Sequence, residues 1–212
     1  MRRSDAPKLR VRLAWRSSFA ALVCLAAACA GSGGPKVGKL ELQEDGGFTI
    51  TERTRIPSGA RSDFEKAVGL VEQGDLAGGI ALLEQAAEKA PDATLVHIDL
   101  GIAYRLDEQH ELAVKSLERA VELNPRHPMA LNELGIAYRK VGRFDDARAS
   151  YQKALAVVPG FHFARRNLAI LCDVYLGDLE CALEHYERYA EMMPDDEQVP
   201  IWIADLRRRT GR

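Results

Sequence analysis

Aromatic residues supply only 7% of this 212-residue chain, and its acidic and basic residues nearly balance, leaving a formal charge of −2 and a pI near 6.2. No global positive field therefore draws nucleic acid. Motifs that carry chemistry are missing too. The five histidines (His97, His110, His127, His162, His185) show no HExxH or other zinc spacing, and there is no GxSxG, no phosphate-loop GxxxxGKS/T and no clear nucleophile with a base. The acidic pairs Asp145-Asp146 and Asp195-Asp196-Glu197 fall where helices should begin and read as caps and dipole partners. These absences point away from an enzyme, a cofactor, a resident metal and a small-molecule substrate. The uncharged apolar run Phe19 to Ala28 is about ten residues long, too short to span a bilayer as a stable helix. Alanine and leucine dominate what remains, a bias that suits helices packed closely through small side chains.

The first residues differ from the rest. Arg2, Arg3, Lys8, Arg10, Arg12 and Arg16 form a basic region ahead of the apolar run, as in an export signal. The run ends Leu25-Ala26-Ala27-Ala28-Cys29 and passes into Ala30-Gly31-Ser32-Gly33-Gly34. Small residues before a cysteine, followed by a flexible tether, resemble the lipobox of bacterial lipoproteins, with Ala26 where that family usually has leucine. The resemblance implies removal of residues 1–28 as a signal peptide and acylation of Cys29. Ala30, in place of aspartate, implies delivery to the outer membrane, with the protein facing the periplasm. Each buried acyl methylene contributes about 0.8 kcal/mol, so two or three chains anchor a protein nearly permanently. The alternatives are an ordinary signal cut near Ala28 or Ala30 and a retained anchor.

Residues 37–56 alternate in polarity, Leu40 and Leu42 with Glu41 and Gln43, then Phe48 and Ile50 with Thr49 and Thr51. The Asp45-Gly46-Gly47 turn signal between them predicts a small β-hairpin, marginal alone and docked loosely on the rest of the chain. From residue 60 the sequence repeats. Pro91, Pro125 and Pro159 stand 34 residues apart, and Pro194 follows after 35. The third unit reads Leu131, Leu134-Gly135, Tyr138, Gly142, Ala147, Tyr151, Ala154, Pro159; the second Leu100-Gly101, Tyr104, Ala113, Leu117, Ala120, Pro125. The first (Ala67, Leu70, Gly74, Gly79, Leu83, Ala86, Pro91) and the fourth (Leu168-Ala169, Cys172, Gly177, Ala182, Tyr186, Pro194) keep the register, the fourth with one residue inserted near its turn.

This pattern resembles the tetratricopeptide repeat. The resemblance implies an all-α, right-handed solenoid of four helical hairpins (60–93, 94–127, 128–161, 162–196), after a lipidated tether and extension (29–59). Val199, Trp202, Ile203 and Leu206 share one helical face, so residues 197–212 form a capping helix. Small residues such as Gly135, Ala147 and Ala154 let paired helices touch, while Glu133 is expected on a more open surface.

Such arrays usually hold a partner in a concave groove lined by the first helix of each hairpin, at places two, five, six, nine, twelve and thirteen of the repeat. Place nine gives the apolar series Val68, Ile102, Ile136 and Ile170, either groove or core. Place twelve gives Val71, Arg105, Arg139 and Asp173; place five gives Phe64, Ile98, Asn132 and Arg166; Lys140 and Asn167 occupy places thirteen and six. The resemblance gives no structural reason for these arginines, so they are expected to face a partner. The basic clamp of chaperone-binding repeats is absent. The implied function is an envelope adaptor that binds another protein, with no nucleic acid. Alternatives are a structural homo-oligomer, an intracellular scaffold, or an accessory part of a TonB-type or pilus-assembly system. Cys172 and Cys181 lie across the fourth turn and, in an oxidising compartment, are a disulfide candidate; two thiols, or a metal held with His185, are the alternatives.

Overall fold

The computed structural model describes residues 39–42, 48–51 and 56–211. The expected signal peptide, Cys29, the glycine-serine tether and the Asp45-Gly46-Gly47 turn lie outside the described residues. Strands β1 (Lys39–Leu42) and β2 (Phe48–Thr51) pair antiparallel, Leu40 opposite Ile50. Helices α1 (Ser58–Glu72), α2 (Leu76–Lys89), α3 (Thr94–Leu106), α4 (His110–Leu123), α5 (Pro128–Lys140), α6 (Phe144–Val157), α7 (His162–Ile170) and α8 (Leu179–Met192) form four hairpins, and α9 (Val199–Thr210) packs on α8.

Close approach within a hairpin depends on missing side chains. A methyl added at Gly135 would sit 2.5 Å from the Tyr151 ring, and one at Gly101 would sit 2.5 Å from Leu117. Tyr151 and Leu117 are fully buried in consequence. Contacts between hairpins are as regular. The Tyr104 hydroxyl donates to Glu84, and the Tyr138 hydroxyl donates to Glu118 at 2.7 Å, each joining an odd-numbered helix to the even-numbered helix before it. Cys172 takes the tyrosine's place in the fourth unit, and the structure joins it to Cys181 across the turn, with Cα atoms 5.9 Å apart.

The residue inserted in the fourth unit has a visible home. In the first three hairpins a backbone N–H bonds a carbonyl five residues back, as in Arg143 to Tyr138; in the fourth, Asp178 bonds Cys172, six back. The extra residue is absorbed by a π-helical turn, Leu171–Leu176, that continues α7.

The hairpin is held more firmly than its sequence suggested. Phe48 and Ile50 are buried against Leu131, Ala154, Val158 and Phe161, and the Phe48 and Phe161 rings meet edge to face at 5.2 Å. Thr49 is buried as well, so β2 is covered on both sides. Glu133 is likewise not on an open surface: only 8% of it is exposed, because its helix α5 packs on α3, whose Arg105 reaches it. His127 caps α5 by accepting from the Ala130 N–H at 3.2 Å, and burial pushes its pKa down to about 4.

The packing sets an expected outcome. Gly135→Ala forces its methyl into Tyr151 and lowers stability by about 1–3 kcal/mol in urea unfolding. Gln152→Leu, on the exposed side of α6, leaves the midpoint nearly unchanged. Equal midpoints for Gly135→Ala and the wild type would refute the close approach.

Candidate functional site

Helices α1, α3, α5 and α7 lie side by side, α3 packed on α1 and α5, and α5 on α7. Val68, Ile102, Ile136 and Ile170 are each partly exposed along this series while touching the core. They are therefore both partly solvent-facing and packed at the edge of the core. Place five behaves differently from the expectation. Phe64 and Ile98 are buried in the core, and Asn132 is only 3% exposed. Most of place five is thus withdrawn from a partner.

Asn132 belongs to a polar chain that crosses three helices. Arg105 Nε and Nη2 each approach Glu133 Oε2 at 3.2 Å. Asn132 Nδ2 donates to Glu133 Oε1 at 3.2 Å, and Asn167 Nδ2 donates to Asn132 Oδ1 at 3.0 Å. Burial raises the Glu133 pKa, and Arg105 and Asn132 oppose that rise. The expectation that structure has no use for the place-twelve arginines thus fails at Arg105, which is the counter-ion of a buried glutamate.

The remaining cations are placed differently. The Arg139 guanidinium lies 5.4 Å from the centre of the Tyr175 ring, with Nη1 3.3 Å from that hydroxyl. Arg166 lies 5.5 Å over the Trp202 ring of α9. Nε of both arginines is buried without a hydrogen bond to the described residues. Lys140 is exposed at the end of α5. Asp173 pairs with Arg209 of α9 at 2.9 Å, which ties the capping helix to the groove's edge.

Sequence reasoning missed one residue at the centre. Asp99 occupies place six of α3, beside Ile98 and three residues before Ile102. It is partly exposed, and its carboxylate makes no hydrogen bond or ion pair with a described residue. Burial raises its pKa to about 7, and the like charges of Glu133 and then Glu72 push it the same way. Reading place six down the repeats (Glu65, Asp99, Glu133, Asn167) would have found it. Elsewhere, Cys172, Cys181 and Asp178 bring potential ligand atoms within 4.8 Å of one another, with His185 outside the group. Two of the three are joined as a disulfide, and Asp178 Oδ1 accepts from the Cys181 N–H as the cap of α8.

The model of a tetratricopeptide repeat family matches residues 93–160 and again 126–195. Residues 93–195 are tetratricopeptide repeats. Solved structures agree on the fold. MamA of Desulfovibrio magneticus RS-1, from residue 41 to its end, is 17% identical with a TM-score of 0.67, over 74% of this chain and 88% of that one. PilF of Pseudomonas aeruginosa is 18% identical with a TM-score of 0.64, over 72% of this chain and 69% of that one. A MamA structure of strain AMB-1 reaches 30% identity with a TM-score of 0.55, over 62% of this chain and 72% of that one. Among curated proteins, none matches the sequence.

Asp99 gives the repeats a measurable liability. Its folded pKa lies above the ordinary carboxylate value, so the folded state binds its proton more tightly than the unfolded chain. Stability from this group is complete below about pH 4 and is lost as the pH rises through about 7. Asp99→Asn should therefore match the wild type at pH 4 and exceed it at pH 8 by on the order of 2 kcal/mol, after allowance for solvent screening. Urea midpoints at the two pH values check this. A constant difference between the proteins would contradict it.

Proposed function

We propose that this protein is an exported adaptor of a bacterial envelope assembly, held at the outer membrane by lipid on Cys29. It binds an extended or helical segment of another envelope protein in its concave face. The observation that carries this reading is the row Val68, Ile102, Ile136 and Ile170, partly exposed on consecutive helices and flanked by charge. Singly exposed apolar residues are ordinary on a protein surface, whereas a row repeated in register forms a continuous strip that a partner's side chains can cover. The likeness of fold to MamA and PilF supports an interaction scaffold.

The test combines anchor and groove. A photo-crosslinking residue replaces Ile136 in one variant and Gln152, on the outer side of α6, in another; each is expressed with Cys29 intact and with Cys29→Ser. The expected result is a discrete adduct from position 136 and none from 152, with sedimentation in the membrane fraction lost in Cys29→Ser. Adducts from 152 alone would overturn the groove. Salt-resistant membrane sedimentation of Cys29→Ser would overturn the lipid anchor.

A further inference from the structure

Arg105 and Glu133 are 28 residues apart, one at place twelve of its repeat and the other at place six of the next. The same relation links Val71 to Asp99 one repeat earlier and Arg139 to Asn167 one repeat later. The groove therefore holds one complete ion pair between two incomplete ones of opposite sign. On one side, Asp99 has a valine where the arginine would stand, and its charged neighbours Glu133 and Glu72 share its sign. On the other, Arg139 has an asparagine where the acid would stand. That amide is committed to Asn132, and the contacts of Arg139 with Tyr175 leave its charge uncancelled. Beyond them, Asp173, at place twelve of the fourth unit, pairs instead with Arg209 of the capping helix.

We infer that the groove is polarised and that its partner is an extended segment of another protein with one lysine or arginine seated on Asp99 and one aspartate or glutamate seated on Arg139. This deepens the groove reading above and rests on it. The side chains between the two charges cover Ile102 and Ile136. Packed helices lie about 8–10 Å apart, which sets the step from α3 to α5. Arg139 stands six places farther along its helix than Asp99, about 9 Å at ~1.5 Å per residue. The two charges are thus roughly 13 Å apart, about four residues of extended chain at ~3.3 Å each. A wholly acidic segment would meet Asp99 and Glu72, with Glu133 already paired to Arg105. A wholly basic one would meet Arg139, Lys140 and Arg166. Like charges brought together at an interface suppress binding, so the polarity selects against both.

Five fluorescein-labelled twelve-residue peptides with the same leucines test this by anisotropy on the full chain. Two positions four residues apart hold Lys and Glu (made in both orders), Glu and Glu, Lys and Lys, or Gln and Gln. The better-ordered Lys/Glu peptide is expected to bind at least about tenfold more tightly than either like-charged peptide. Asp99→Asn should erase its advantage over the Glu/Glu peptide, and Arg139→Gln its advantage over the Lys/Lys peptide. Val71→Arg and Asn167→Asp, which supply the missing charges internally, should do the same while leaving the opposite charge of each pair in place. Binding abolished by Ile136→Asp yet indifferent to the charges would keep the groove and overturn the polarity. A preference for Glu/Glu would also overturn the polarity. Failure of all peptides to bind would overturn the groove and the polarity together.

Discussion

The structure depends on each hairpin completing its surface with groups from the next. Tyr104 and Tyr138 reach back to Glu84 and Glu118 of the preceding unit, and Arg105 reaches forward to Glu133 of the following one. Burial of an arginine and a glutamate is tolerated only because each meets the other and Asn132 satisfies the second carboxylate oxygen. That requirement fixes the spacing of α3 and α5, and with it the spacing of Ile102 and Ile136. The regularity of the groove therefore follows from stacking, since the hairpins do not enclose separate cores.

Where the series departs from its own rule, the departures are consistent with a surface shaped for a partner. The fourth unit gives up the tyrosine for Cys172, replaces the bond to the previous hairpin with a covalent link across its own turn, and adds a π-turn. The same turn carries Tyr175, whose ring lies beside Phe144 at 5.2 Å and takes the Arg139 guanidinium. At the other end, Asp99 is kept half-buried among carboxylates with no counter-ion among the described residues, at a cost in stability that an asparagine would relieve. Protein sites are often less stable than they could be because function uses the strained group.

Much of this fold was legible in the sequence because its physics repeats. The proline spacing, the small residues at Gly101, Gly135 and Ala147, and the alternation around Phe48 and Ile50 each encode a local requirement, and the repetition of the helical ones gives the register. The extra residue before Pro194 was visible, although its π-helical form was not, since several backbone adjustments can absorb one residue. The recurrence of an apolar residue at place nine was legible too, and those four side chains are partly exposed on consecutive helices. How the charges around that row pair was not, because place five and place twelve were read as outward-facing from the general habit of the repeat. Whether Asn132 faces a partner or Glu133, and whether Arg105 is free or paired, depends on side chains of the next helix 28 residues away. Asp99 was missed for the same reason: its significance lies in the arginine that is absent at Val71.

The measurement closest to the centre of this account is the carboxyl pKa of Asp99, read by NMR titration in the wild type and in Val71→Arg. If the pairing of Arg105 with Glu133 is a rule of the stacking, Asp99 titrates near 7 in the wild type. With an arginine at position 71 it should fall back to or below the usual carboxylate range, about 4. An Asp99 that titrates in the ordinary range without the arginine, or one that is unmoved when the arginine is added, would contradict the repeating pair and the polarised groove drawn from it.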